Sequence, residues 1–201
     1  MAQQLASGRH GLSRDEVAAN KKQRLFKALG EVMGAKGYSN TTVDDLIKHA
    51  GVSRATFYQH FDSKIDCFMA GYANLQGYVI DVILEIPATG TPMQRFAFML
   101  HRYLGLMALD PRRSRLYLLE VYAAGPDAMR RRMELQQEFV DGVAKIFKAR
   151  SKADRFACQA LVASISMLVT TALVEADSDA ILALEKPVLK FAERALGPRA
   201  V

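Results

Sequence analysis

Between Gly37 and Lys64 the chain reads GYSNTTVDDLIKHAGVSRATFYQHFDSK, and three residues there leave the backbone little freedom: Thr42, Gly51 and Ser53. Thr42, answered by Asp45 three positions on, spells a capping box that opens a helix. Gly51 falls where that helix has to stop and reverse, a task suited to a residue that tolerates positive φ. Val52 then packs inward, and Ser53 caps a second helix from Arg54 to His60. The spacing predicts two short helices joined by a tight turn. The second offers Arg54, Thr56, Tyr58, Gln59 and His60 on its outer face, side chains that hydrogen-bond base edges and phosphates. This is a helix-turn-helix of the DNA-reading kind.

The remaining chain is punctuated as helices throughout. From Arg14 to Lys36, Leu25, Leu29, Val32 and Met33 recur at helical spacing. That helix is expected to brace the two short ones through Val43, Leu46, Ile47, Val52, Phe57 and Phe61. Gly30 and Gly34 each cost it about 1 kcal/mol relative to Ala, and a close helix crossing is the simplest reason for them. Ser63 with Asp66 caps a long helix to about Glu85, which Ile86-Pro87 terminates. After a loop over 87–92, helices are expected from Pro92 to Leu109, from Asp110-Pro111, and from Gly125-Pro126 to about Arg150.

Residues 156 to 174 pass without a charge, a length that could just span a bilayer. Gln159, Ser164, Ser166, Thr170 and Thr171 dilute the apolar run, which favours a helix packed on its own domain and on a second subunit. Its small residues Ala157, Ala160, Ala163 and Ser164 would allow close approach across a dimer axis. A last helix, about 179–196, is expected to kink or restart at Pro187. The expected fold is all-α, about nine helices, with no membrane span.

Charge and composition narrow the function. Residues 1–64 hold ten Lys and Arg against six Asp and Glu, and the rest of the chain 17 against 15, so the first third is the more basic per residue. Cys67 and Cys158 lie in apolar helical runs without CxxC spacing, which points to buried reduced thiols and not to a disulfide or metal pair. No apolar signal core follows the N-terminal charges, so a cytoplasmic, nucleoid-associated location is expected. With four His, no HExxH, no phosphate loop and no nucleophile constellation, neither a catalytic site nor a metal or cofactor is expected. Residues 1–13 are expected to be a flexible tail. Arg9, His10 and Arg14 could reach into a minor groove, or the segment is plain terminal disorder.

The order Gly37-Tyr38, Thr41-Thr42-Val43, Ala50 to Phe61 and Ser63-Lys64 resembles the N-terminal domain of the TetR (tetracycline-repressor) family of bacterial transcription regulators, over about residues 21 to 69. Beyond that segment only length and helical pattern agree. The resemblance implies a DNA-binding domain at 14–62, with its motif at about 42–61, and a ligand-binding and dimerisation domain at 63–201. It implies that Tyr58 and His60 grip one strand's phosphates and that Lys64 is a further phosphate ligand. On chemistry alone, Arg54 suits the O6/N7 edge of guanine or a phosphate. Ala55 permits close approach and can touch a thymine methyl. Thr56 and Gln59 could each meet base or backbone. Ser53 stands at the same helix start, and Thr42 adds hydroxyl and N–H donors at an N-terminal anion site. One position departs from the family: Asp44 cannot grip phosphate, so it sits off the DNA or accepts from a cytosine amino group.

By the same resemblance the body holds a small-molecule pocket. Met99, Tyr103, Met107, Tyr117, Tyr122 and Met167 are adaptable or amphipathic enough to line it, though each also suits ordinary core. Glu120 and His101 are candidate polar anchors. The expectation is a homodimeric repressor on double-stranded DNA, released from a palindromic operator by an apolar or amphipathic effector. Control by a protein partner, or activation in place of repression, is the alternative.

Overall fold

The computed structural model describes residues 14–175 and 177–197, with side chains from residue 16; the N-terminal tail and its groove-reaching candidates Arg9, His10 and Arg14 lie outside the described side chains. The described residues contain helices and no strand. Helix α1 (Arg14–Ala28) runs on through a π turn (Leu29–Met33) and a last α turn (Gly34–Lys36). Then come α2 (Val43–Ala50), α3 (Arg54–His60) and the long α4 (Lys64–Leu84). The body continues with α5 (Pro92–Leu109), α6 (Pro111–Leu118), a 3-10 turn (Glu120–Tyr122), α7 (Pro126–Phe147) and α8 (Lys152–Val174). A bent α9 closes the chain as Ser178–Ala183 and, past Leu184, Glu185–Leu196. Pro187 thus falls in the first turn of a restarted helix, where its missing N–H costs nothing.

Local chemistry accounts for the boundaries. The Thr42 hydroxyl accepts from Asp45 N–H while the Asp45 carboxylate accepts from Thr42 N–H, a complete capping box. Gly51 ends α2 at φ 60°, ψ 43°, the left-handed conformation where a Cβ is costly. Ser53, Ser63 and Asp110 each accept from a backbone N–H in the first turn of α3, α4 and α6. α7 ends at Phe147, earlier than the sequence suggests, because Lys148 takes a left-handed turn. α8 begins earlier, at a Ser151 cap whose hydroxyl accepts from Asp154 N–H.

Two apolar cores result. The head core gathers Leu25, Leu29 and Met33 of the first helix with Leu46, Phe57 and Phe61, the bracing set that periodicity predicts. The Phe57 and Phe61 rings lie 5.7 Å apart and Phe26 sits 5.9 Å from Phe61. Full burial of a side chain such as Phe57 contributes roughly 1.5–3 kcal/mol. Leu116, Tyr117, Val121 and Ala128 of the body join that same cluster, so the head is packed onto α6 and the 3-10 turn as well as carried by α4. The body core lies among α4, α5, α7, α8 and α9.

The two glycines of the first helix mark the crossing. A Cβ on Gly34 would stand 3.1 Å from the Arg112 carbonyl oxygen, and one on Gly30 would stand 3.2 Å from Arg113 Nε. Gly30 lies in the π turn and Gly34 directly after it, where α6 crosses, so the close-approach expectation holds. α4 and α8 are each long and apolar enough to cross a membrane by length and composition. On α8, Cys158, Leu161, Ile165, Val169 and Leu173 face the body core, while Phe156, Ala163, Ser164, Met167, Leu168 and Thr171 are exposed. The chain's own domain therefore covers one side of this helix, not several. Both cysteines are buried and free.

Candidate nucleic-acid interface

Helix α3 presents one continuous exposed edge. Ser53, Arg54, Ala55, Tyr58 and Gln59 are exposed and His60 is half-buried, while Phe57 is fully inside. Tyr58 stands edge-on to Phe57, ring centroids 5.4 Å apart, and is about half exposed. His60 packs beside Phe61, ring centroids 6.2 Å apart. Six of the nine side chains named from sequence thus share one surface.

The other three are placed differently, each for a local reason. Thr56 is buried, its hydroxyl 2.9 Å from Ser53 Oγ, because the third position of a short capped helix turns back toward its cap. Thr42 is exposed, but its N–H and its hydroxyl both donate to Asp45 Oδ2, at 2.8 and 2.7 Å. The anion site at the start of α2 is thereby occupied by the chain's own carboxylate. Lys36 adds a contact at 2.8 Å, and the Lys36 and Thr42 hydrogen bonds hold the Asp45 carboxyl well below the usual carboxylate range. Lys64 reaches back into the head: its ammonium donates to the Tyr38 and Thr41 carbonyls, both at 2.9 Å, and lies 4.2 Å from the Tyr38 ring centre. Partial burial lowers its pKa. It ties α4 to the loop before α2, and two of its three N–H groups are taken by these carbonyls.

Asp44, the departure from the family pattern, pairs with Arg54: Oδ1 accepts from Nη2 at 2.5 Å across the turn between α2 and α3. That contact holds the guanidinium charged and raises its pKa. Arg24 supports the turn from behind, donating to the Gly51 carbonyl at 2.8 Å.

In the body, a cavity of about 290 Å³ opens among α4, α5, α6 and α7, lined by Tyr72, Leu75, Gln76, Met107, Tyr117 and Leu118 among others. A groove of about 420 Å³ between head and body shares Leu75, Asp110, Arg113 and Tyr117 with it and adds Lys27, Glu31 and Asn74. Of the pocket candidates read from sequence, Met107 and Tyr117 line the cavity. Met99 is packed in the body core, and Tyr103 lies against Phe139 with ring centres 6.1 Å apart. Met167 is on the exposed face of α8, and Tyr122 is exposed beneath the Arg132 guanidinium. His101 pairs with Glu185 at the surface.

Glu120 is the most displaced of the set: its carboxylate accepts from Tyr38 N–H at 2.9 Å, so it binds the head, not the cavity. Gly37, just before that amide, has φ 82°. Leu75, Gln76, Asp110 and Arg113 escaped sequence reasoning. Leu75 and Gln76 lie on α4 and Asp110 and Arg113 at the start of α6, and none of the four carries a signal beyond helix formation.

Comparison with known proteins places this head in a group. Residues 25–70 match the family model described as bacterial regulatory proteins, tetR family. A biofilm operon negative transcriptional regulator, IcaR of Staphylococcus epidermidis, is 30% identical over 64 residues, 32% of this chain and 35% of that protein. The chain thus aligns with about a third of the length of that regulator. A fatty acid metabolism regulator protein of Bacillus subtilis is 24% identical over 180 residues, covering 85% of this chain and 93% of its own. In solved structures the same fold is seen in the transcriptional regulator FadR from Bacillus subtilis in complex with stearoyl-CoA, with TM-score 0.75, 20% identity, and coverage of 88% and 99%.

Proposed function

Because its N-terminal domain belongs to the TetR family of bacterial regulatory proteins, we propose that this chain is a sequence-specific, DNA-binding transcriptional repressor that leaves a palindromic operator when an amphipathic effector enters the body. The exposed edge of α3 carries the reading. It offers Arg54, Ala55, Tyr58, Gln59 and His60 on a short helix held rigidly by Phe57 and Phe61, a geometry suited to the major groove. Arg54 reads a guanine, Tyr58 and His60 hold phosphates, and the remaining N–H of Lys64 reaches a further phosphate. Ser53, Thr42 and Thr56 act by building the caps that aim these groups.

Two such heads act as a homodimer. The exposed face of α8, with Phe156 70% and Met167 65% exposed beside Ala163 and Ser164, supports pairing with a second copy, and a two-fold axis matches a palindrome. The protein works in the cytoplasm, as a regulator and not an enzyme. A cavity in the body favours a small-molecule effector over control by a protein partner. An apolar chain fills the cavity, and its polar end rests in the groove near Arg113 and Lys27. Since the FadR structure holds stearoyl-CoA, acyl thioesters are the first effectors to test.

The decisive experiment selects duplexes from a random pool with the purified protein, then titrates the selected site with and without acyl-CoA. A palindromic winner, bound at least a thousandfold above random competitor and released by effector, is expected. No preference at modest salt would overturn the DNA-reading assignment. A site bound equally with every acyl-CoA would overturn the effector class alone.

A further inference from the structure

We propose that Asp44 is a positioning residue for base recognition: it holds the Arg54 guanidinium extended across the helix turn and keeps it for a base edge in preference to a phosphate. The proposal rests on the reading of α3 as the groove helix.

The geometry is specific. Asp44 lies in the first turn of α2 and Arg54 opens α3, so the 2.5 Å contact spans the two reading helices. The neighbouring acid cannot substitute, because Asp45 is consumed by Thr42 and Lys36. Both members of the pair are open to solvent, Arg54 58% and Asp44 65% exposed. A pair this exposed contributes little to folding, so its effect falls on where the guanidinium points. One terminal nitrogen is engaged by the carboxylate. The guanidinium has five N–H donors in a planar fork, so a second edge stays free for the two acceptors O6 and N7 of guanine.

Charge sharpens the preference. An unpaired arginine on a DNA-facing surface gains from any phosphate, and that gain is independent of sequence. Paired with Asp44, it brings almost no net charge toward the duplex, and a phosphate approaching it meets a carboxylate. A guanine edge is neutral and acceptor-rich, so it pays no such penalty. Holding the long side chain in one rotamer before binding also removes part of its ordering cost.

The test compares wild type with Asp44→Ala, Asp44→Asn and Arg54→Ala by fluorescence anisotropy, on the selected site and on a random duplex. Asp44→Ala is expected to weaken the selected site about tenfold while leaving random duplex unchanged or bound two- to threefold tighter. Asp44→Asn is expected to fall between. In the Arg54→Ala background, removing Asp44 should not alter the ratio of specific to random binding further. Parallel shifts on both duplexes would overturn the proposal and reduce Asp44 to a repulsive charge; so would a full Asp44 effect without Arg54. A wild type with no preference between the duplexes would instead defeat the groove-helix reading, and this inference with it.

Discussion

Replacing Glu120 with alanine removes the side chain that accepts from the Tyr38 amide, a contact of 2.9 Å that joins the 3-10 turn to the head. A buried amide left without a partner costs about 1–3 kcal/mol. The Glu120 side chain is 20% exposed, so water recovers part of that loss and the expected destabilisation is about 1–2 kcal/mol. For a chain of 201 residues, about 2–4 °C of melting temperature accompanies each kcal/mol, so the midpoint should fall by about 2–8 °C. Glu120→Gln keeps an acceptor oxygen in place and should lose less than half as much. Arg115→Ala should matter less than either, since its nitrogen is 3.9 Å from the carboxylate. Thermal unfolding followed by far-UV circular dichroism reads all three. An unchanged midpoint in Glu120→Ala, or equal losses for Ala and Gln, would refute a stabilising role for the Glu120–Tyr38 contact. Ligand binding in the cavity should survive, because Glu120 does not line it.

Three further outcomes are expected. Gly34→Ala should lower the melting temperature, because its Cβ meets the Arg112 carbonyl oxygen at 3.1 Å, whereas Gly77→Ala, with nothing within 4 Å in the middle of α4, should raise stability by about 0.5–1 kcal/mol. Asp45 has a depressed carboxyl pKa in the folded state, so its contribution is present above the ordinary carboxylate pKa and is lost as pH falls toward the folded value. Urea midpoints of wild type and Asp45→Asn should therefore differ at pH 6, and the gap should begin to close only as pH falls below the ordinary carboxylate value of about 4. Burial pushes the Cys67 thiol up to about 12, so iodoacetamide at pH 8 should leave it unmodified by mass spectrometry until denaturant is added.

Much of the fold was legible because caps and periodicity act over a few residues. Thr42 with Asp45, Ser53, Ser63 and Asp110-Pro111 each mark a helix start that the structure shows. Leu25, Leu29 and Met33 mark a stripe that packs as expected. Illegible were the groups whose partners are distant along the chain. Glu120 bonds to an amide 82 positions away, and Lys64 to carbonyls 26 and 23 positions away. Both carry charges that read equally well as surface or as ligand anchors. Thr56, expected on the outer face, is buried for a smaller reason: a seven-residue helix has only two turns, and cap geometry, not outward periodicity, decides its third position. The cavity was half legible, since Met107 and Tyr117 line it but Met99 and Tyr103 fill core on the same helix, and no local pattern separates a wall from a filling.

The π turn at Leu29–Met33 has a consequence for how this molecule tolerates change in length. A residue added to or removed from a regular α-helix swings everything beyond it by about 100°, whereas a π turn absorbs the extra residue by widening locally. The first helix can therefore keep Leu25 and Phe26 on the reading domain and Gly30 and Gly34 against α6. Excising one residue between positions 29 and 33 should be absorbed by a return to α geometry, with both halves still facing their neighbours. The same excision in the middle of α4, which has no widened turn, would rotate everything beyond it and uncouple the two halves of the protein.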